Sequence, residues 1–350
     1  MVVVCAKIVS LNNGAKGDLV SNKSIRYGRT SIRLPWPALF VLMTSTTVLA
    51  QEYPSRPIRM IVPQASGSAS DTVARIIAGE LTTRLKQQVI VDNRPGGALQ
   101  LGLEITAKSP PDGYTIAYGM IGALAISPNM LQKPPLDVQK DLAPISQTTT
   151  GQMLLAVGPS TSFKSVRDII SFAKQNPGKL NYASSGNGTP GHVGFELFKT
   201  MTGTQAVHVP YKGGAAAITE LIAGQVQIML ESTNSITPHA RGGRVRGLAV
   251  SGPKRVEALP EYPTIAEAGV PGYEATTWTG VVGPAAMPRA VIMRLNAELN
   301  RMVASSSYKE KVTLIGSEPA GGTPEQFAQY IRSEYAKWGE IVKRAGARID

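Results

Sequence analysis

Short runs of β-branched and aliphatic residues alternate with longer segments of helical spacing through most of this 350-residue chain. Ile58–Val62, Val89–Val91, Thr115–Gly119, Leu154–Val157, Leu180–Ala183, Val207–Val209, Val226–Leu230 and Gly247–Val250 read as strands. Asp71–Leu85, Val166–Gln175, Val193–Met201 and Ala215–Ala223 read as helices between them. Alternation at this spacing builds βαβ units, hence an α/β fold with mostly parallel sheet. The last third is helical. Pro288 opens a stretch with Ile292, Leu295, Leu299 and Met302 on one face. Thr323-Pro324-Glu325-Gln326 forms a capping box with proline at the first helical position, and Phe327, Ile331, Tyr335, Trp338 and Val342 follow as a core-facing stripe.

This length suits two domains rather than one. No internal repeat or low-complexity linker separates them, so two lobes would be joined by crossing strands, near Gly151–Val157 and Thr276–Val282. The expected division is residues 51–153 plus 277–350 for lobe 1 and 154–276 for lobe 2. Residues 1–50 differ in character. Arg26, Arg29 and Arg33 precede an apolar run from Leu34 to Val48, which ends in Val48-Leu49-Ala50. That order predicts a secretory signal peptide with an extended N-terminus, cleaved after Ala50. Pro35, Pro37 and Thr44–Thr47 argue against a membrane anchor, and no later segment approaches the ~18 apolar residues of a span.

Several function classes drop out. The single cysteine, Cys5, lies in the predicted leader, so the mature chain is expected to carry no disulfide, thiol nucleophile or cysteine metal site. The formal charge is +12, from 36 Lys and Arg against 24 Asp and Glu; the leader holds six bases and Asp18, which leaves 30 against 23, or +7. That mild excess favours anionic ligands. The basic residues are scattered, and the Arg241–Arg246 cluster has no interleaved aromatics, so nucleic acid is not expected as a partner. His192, His208 and His239 lack metal-ligand spacing, and no metal or cofactor is expected. Ser251-Gly252-Pro253-Lys254 fits S-x-x-K, but no S-D-N or K-T-G follows it. With no catalytic constellation, the chain is read as not an enzyme. The alternatives kept are an exported hydrolase-like α/β enzyme and a ligand-sensing binding protein without a transport role.

Three times a strand runs into a Gly/Ser loop that opens a helix: Val62–Asp71, Ala183–His192 and Val209–Ala215. The first N–H groups of a helix lack internal partners, the helix dipole adds positive charge there, and glycine lets an anion approach. Gly186-x-Gly188-x-x-Gly191 also matches the dinucleotide fingerprint, but no acid stands at Val207–Tyr211 and Pro190 interrupts the loop. Anion binding is therefore the expected use. Candidate ligand-binding residues are Gln64, Ala65, Ser66, Gly67, Ser68, Ser70, Asp71, Ser184, Ser185, Gly186, Asn187, Gly188, Thr189, His192, Tyr211 and Glu231. Gly186→Asp is expected to abolish carboxylate binding and leave melting nearly unchanged.

Six segments carry a resemblance. They are Pro54–Ile58, Asp92–Gly96, Pro111–Thr115, Asn181–Thr189, His208–Gly213 and Glu267–Tyr273. Together, and in this order, they resemble the tripartite tricarboxylate transporter receptors, the Bug or TctC-like extracytoplasmic solute-binding proteins, over about residues 53–350. The resemblance implies a periplasmic-binding-protein type II fold, two α/β lobes with a ligand cleft between them. It implies a periplasmic receptor, expected to be monomeric, that captures a small carboxylate and delivers it to the membrane permease of a tripartite tricarboxylate transporter. The ligand class implied is a di- or tricarboxylate, an amino acid or an aromatic acid. Carried over by position, the jaws are Gln64–Asp71 and Ser184–Thr189. The chain departs from the family pattern at Gln64, where an aromatic is usual, at Ala65–Ser68 and Ala98–Gln100, and at Glu231, where an aspartate is common.

Overall fold

The computed structural model describes residues 53–348. The predicted signal peptide, its cleavage point and Cys5 lie outside them. Eleven strands among the described residues form two sheets. The first holds six, in the order β11-β4-β10-β3-β1-β2: β1 Ile58–Val62, β2 Val89–Asn93, β3 Thr115–Met120, β4 Leu142–Gly151, β10 Thr277–Pro284 and β11 Ser317–Pro319. The second holds five, β7-β6-β8-β5-β9: β5 Met153–Val157, β6 Asn181–Ser184, β7 Val207–Pro210, β8 Ile228–Ser232 and β9 Arg246–Val250.

The βαβ units pair in parallel as expected: β1 with β2 and β3, β6 with β7 and β8. The sheets are nonetheless mixed, not mostly parallel. β10 runs antiparallel to β3 and β4, β11 to β4, and β5 to β8 and β9. The reason is the crossing. β4 and β5 are separated by Gln152 alone, so the chain passes straight from one sheet into the other, and β10 brings it back beside β4.

Among the described residues ten α-helices cover the sheets: α1 Ala69–Leu85, α2 Gln100–Ala107, α3 Ser127–Met130, α4 Val166–Gln175, α5 Pro190–Thr202, α6 Gly214–Ile222, α7 Thr233–Arg241, α8 Arg289–Val303, α9 Ser306–Leu314 and α10 Pro324–Ala345. A π-helical turn, Gly122–Ile126, precedes α3. Ser68 caps α1 by accepting from the Asp71 N–H, and Val73, Ala74, Ile77, Ala78, Leu81 and Leu85 turn its buried face to the sheet. Ser165 with Asp168 and Thr323 with Gln326 form capping boxes at α4 and α10. Trp278 and Trp338 are fully buried, and both indole N–H groups donate to one Glu334 carboxylate oxygen, at 3.0 and 3.2 Å. Each such side chain stabilises the fold by about 1.5–3 kcal/mol through burial. α10 packs on β4 of the first sheet and on α5 beside the second. Among the described residues no helix is long and apolar enough to cross a membrane.

Candidate functional site

A cavity of about 60 Å³ lies between the two sheets and takes its lining from both. A water-sized group occupies roughly 10–15 Å³ on this measure, so the space suits a compact solute of a few groups. From the first sheet and its loops come Gln64, Ser68, Ala69, Ser70, Val73, Tyr118, Met120, Ile121, Thr149, Thr277, Trp278, Thr279 and Ser317. Beyond the crossing come Gln152, Ser185, Pro190, Gly191, Gly214, Glu231, Ser232, Thr233 and Asn234.

Four helix starts converge here: α1 at Ala69, α5 at Pro190, α6 at Gly214 and α7 at Thr233. Ser68 caps α1, but α5, α6 and α7 begin without a side-chain cap. The Thr233 N–H at the start of α7 donates to the Gln152 carbonyl at 3.1 Å, whereas the leading N–H groups of α5 and α6, apart from the missing one at Pro190, keep their hydrogen-bonding capacity, and four helix dipoles place partial positive charge around one volume. Among the described residues no lysine, arginine or histidine lines the cavity. An anion here would be held by peptide dipoles and hydroxyls, not by an ion pair. Gly191 allows the approach of β8: a Cβ there would lie 2.1 Å from the Leu230 carbonyl oxygen.

Of the residues expected from sequence to touch a ligand, Gln64, Ser68, Ser70, Ser185 and Glu231 line the cavity. The others stand behind them or on the loop surface. Asp71 accepts from the Gly67 N–H at 2.9 Å, the Ser66 hydroxyl at 3.4 Å, the Asn93 amide at 3.0 Å and Arg75 at 3.0 Å. Burial opposes its charge, but those donors outweigh it and hold the carboxyl below its ordinary range. Asp71 thus ties the first loop together, while Ala65 is half-buried and Ser66 and Gly67 are exposed. In the second loop the Thr189 hydroxyl donates to the Gly186 carbonyl at 2.7 Å, and the Gly188 N–H donates to His192 Nδ1 at 3.3 Å. Ser184 Oγ bonds His208 Nε2 at 2.7 Å. Asn187 is exposed, and half-buried Tyr211 donates its N–H to the Ser184 carbonyl. Gly186 and Gly188 have φ of 130° and 76°, the left-handed region that favours glycine.

Sequence reasoning did not single out the floor. Thr149 of β4 and Thr279 of β10 share a 2.6 Å hydroxyl contact, with Thr277 and Trp278 beside them. Gln152 is held by the 252–254 loop, accepting from the Gly252 N–H at 2.8 Å and donating to the Lys254 carbonyl at 2.9 Å.

Glu231 differs from the rest. It is 4% exposed, and its Oε1 accepts the Ser232 N–H at 2.9 Å. Its Oε2 is buried without a hydrogen-bond partner among the described residues, and so is Asn234 Oδ1 nearby. Burial pushes the Glu231 carboxyl above its ordinary range, against a smaller lowering by the neighbouring Ser232 and Ser185 groups.

A family model described as tripartite tricarboxylate transporter family receptor matches residues 73–347. Protein BugT of Bordetella pertussis is 33% identical over 303 residues, 86% of this chain and 93% of that one. The structure of R. palustris Rpa4515 with adipate is similar at a TM-score of 0.82 and 36% identity, over 85% of this chain and 100% of that one. That of MatC from Rhodopseudomonas palustris with bound malate is similar at 0.78 and 27%, over 83% and 100%.

Proposed function

The chain belongs to the tripartite tricarboxylate transporter receptor family, whose members are solute-binding receptors with a two-lobe periplasmic-binding-protein fold, and from that premise we propose that it captures a small carboxylate in the cavity between its sheets and hands it to a membrane permease. Helix starts without side-chain caps, around a cavity that no basic side chain lines among the described residues, carry the reading. Two solved relatives hold adipate and malate, both dicarboxylates.

In this reading the Ser68–Ser70 and Ser185–Gly191 segments supply N–H and hydroxyl donors from opposite sides. Asp71, Ser184, Thr189 and His192 shape those loops from behind. Charge-assisted bonds contribute about 1.5–3 kcal/mol each, and two or three of them, less the cost of association, give roughly micromolar affinity. The lobe boundaries proposed are 51–153 with 277–350, and 154–276. The chain works in the periplasm as a monomer after loss of its leader, and it turns over no substrate.

Calorimetric titration of the purified protein with malate, adipate, glutamate and nicotinate, beside glucose as a neutral control, tests the proposal. Micromolar heats with at least one acid and none with glucose are expected. Binding of glucose alone would overturn the assignment, and steady conversion of a bound acid to product would favour an enzyme.

A further inference from the structure

We infer that Glu231 serves this pocket as a hydrogen-bond donor that reads the ligand's second functional group, accepting a second carboxylate and rejecting an ammonium. The inference rests on the carboxylate-receptor reading above and concerns how that same site chooses among acids.

Three observations lead to it. The Glu231 carboxyl is 4% exposed and lies in the cavity wall against the start of α6, where a Cβ on Gly214 would sit 3.4 Å from the carboxyl carbon. Oε1 already accepts the Ser232 N–H, whereas Oε2 has no hydrogen-bond partner among the described residues. Among the described residues no basic side chain lines the cavity to balance a negative charge. Burial outweighs the helix starts and the Ser232 and Ser185 groups beside this carboxyl and raises it above its ordinary range, which favours the protonated form. With Oε1 engaged as an acceptor, that proton sits on Oε2. The atom without a partner is then an O–H, and it requires an acceptor. A ligand carboxylate oxygen satisfies it in a short charge-assisted bond. An ammonium offers only donors, so it meets that O–H with another donor unless Glu231 first gives up its proton. Asn234 does not oppose this, because rotation about its last bond exchanges its Oδ1 for the donor Nδ2.

The experiment titrates wild type, Glu231→Gln, Glu231→Ala and Glu231→Met with adipate, hexanoate and 6-aminohexanoate, and with succinate, butanoate and 4-aminobutanoate as a shorter set. Wild type should bind a diacid at least about tenfold more tightly than the matching monoacid or amino acid. Glu231→Gln keeps a donor and should hold that diacid affinity within about threefold. Glu231→Ala should lose about tenfold for the diacid and little for the monoacid. Glu231→Met keeps the volume without a donor and should behave like Glu231→Ala, which covers the case in which alanine disturbs the fold. The inference is overturned if Glu231→Gln loses the diacid as fully as Glu231→Met, or if wild type prefers the amino acid. It is also overturned if neither Ala nor Met alters diacid affinity. Failure of wild type to bind any of the six, with circular dichroism intact, defeats the carboxylate reading itself and is distinguishable from those results.

Discussion

His192 and His208 stack with ring centroids 3.9 Å apart, and neither lines the cavity. His192 uses Nδ1 as an acceptor and His208 bonds Ser184, so both secure the second loop as neutral rings. Burial, helped by Lys199, lowers His192 to about 4. Burial and the neighbouring His192 lower His208 to about 3. In the unfolded chain each titrates near 6.5. Between those limits the unfolded state binds more protons, so the stability from keeping these rings neutral is complete above pH 6.5. It declines as pH falls through the window down to the folded values, by about 2 kcal/mol per histidine at pH 5. The melting temperature should therefore drop from pH 7 to pH 5, and His208→Gln should show a shallower drop. Equal slopes in the two proteins would mean that the stack does not carry this acid sensitivity.

At the scale of elements, local signals were readable wherever the signal was itself local. The Thr323–Gln326 box begins α10 as its four residues predict. Thr323→Ala should cost about 1 kcal/mol, measured by urea denaturation, because it removes the cap without touching the cavity. β1, α1, α4 and α5 announced themselves by periodicity and bounding glycines. β4 did not: Pro144 and the Thr148–Thr150 run look like loop, and the strand exists because β10 and β11, more than a hundred residues away, pair with it. α7 was hidden by Pro238 inside it. The site divided along the same line. The loops that open α1 and α5 were legible as Gly/Ser turns, but Thr149 and Thr279 meet only through β4–β10 pairing. Gly186 requires a revision. Its φ of 130° belongs to glycine, so Gly186→Asp strains the backbone and should lower the melting temperature as well as binding, not binding alone. Gly191→Ala is harsher still. With the Leu230 carbonyl 2.1 Å from the new Cβ, it should cost several kcal/mol and reduce soluble yield.

For the whole molecule, the question is what holds the two lobes around the solute. The second loop meets the first lobe directly: a Cβ on Gly122 would lie 3.1 Å from the Gly188 carbonyl oxygen and 2.9 Å from Leu99, and a Cβ on Gly188 would lie 3.1 Å from Ser127. The two sides thus approach each other at two glycines whose lack of side chains permits the close contact. A ligand touching both sides favours this state only to the extent that the contact forms. Gly122 sits in the π-helical turn after β3, outside the cavity lining, and its φ is not in the left-handed region. A side chain there presses on Gly188, in the segment proposed to hold the ligand, and on Leu99, while touching none of the cavity-lining residues of the first loop. Gly122→Val should weaken adipate binding about tenfold by calorimetry, with circular dichroism unchanged. In small-angle X-ray scattering the wild-type radius of gyration should shrink when adipate is added, and the variant's should not. If the variant binds and compacts like wild type, closure does not depend on this contact, and the grip on the solute must come from the cavity walls alone.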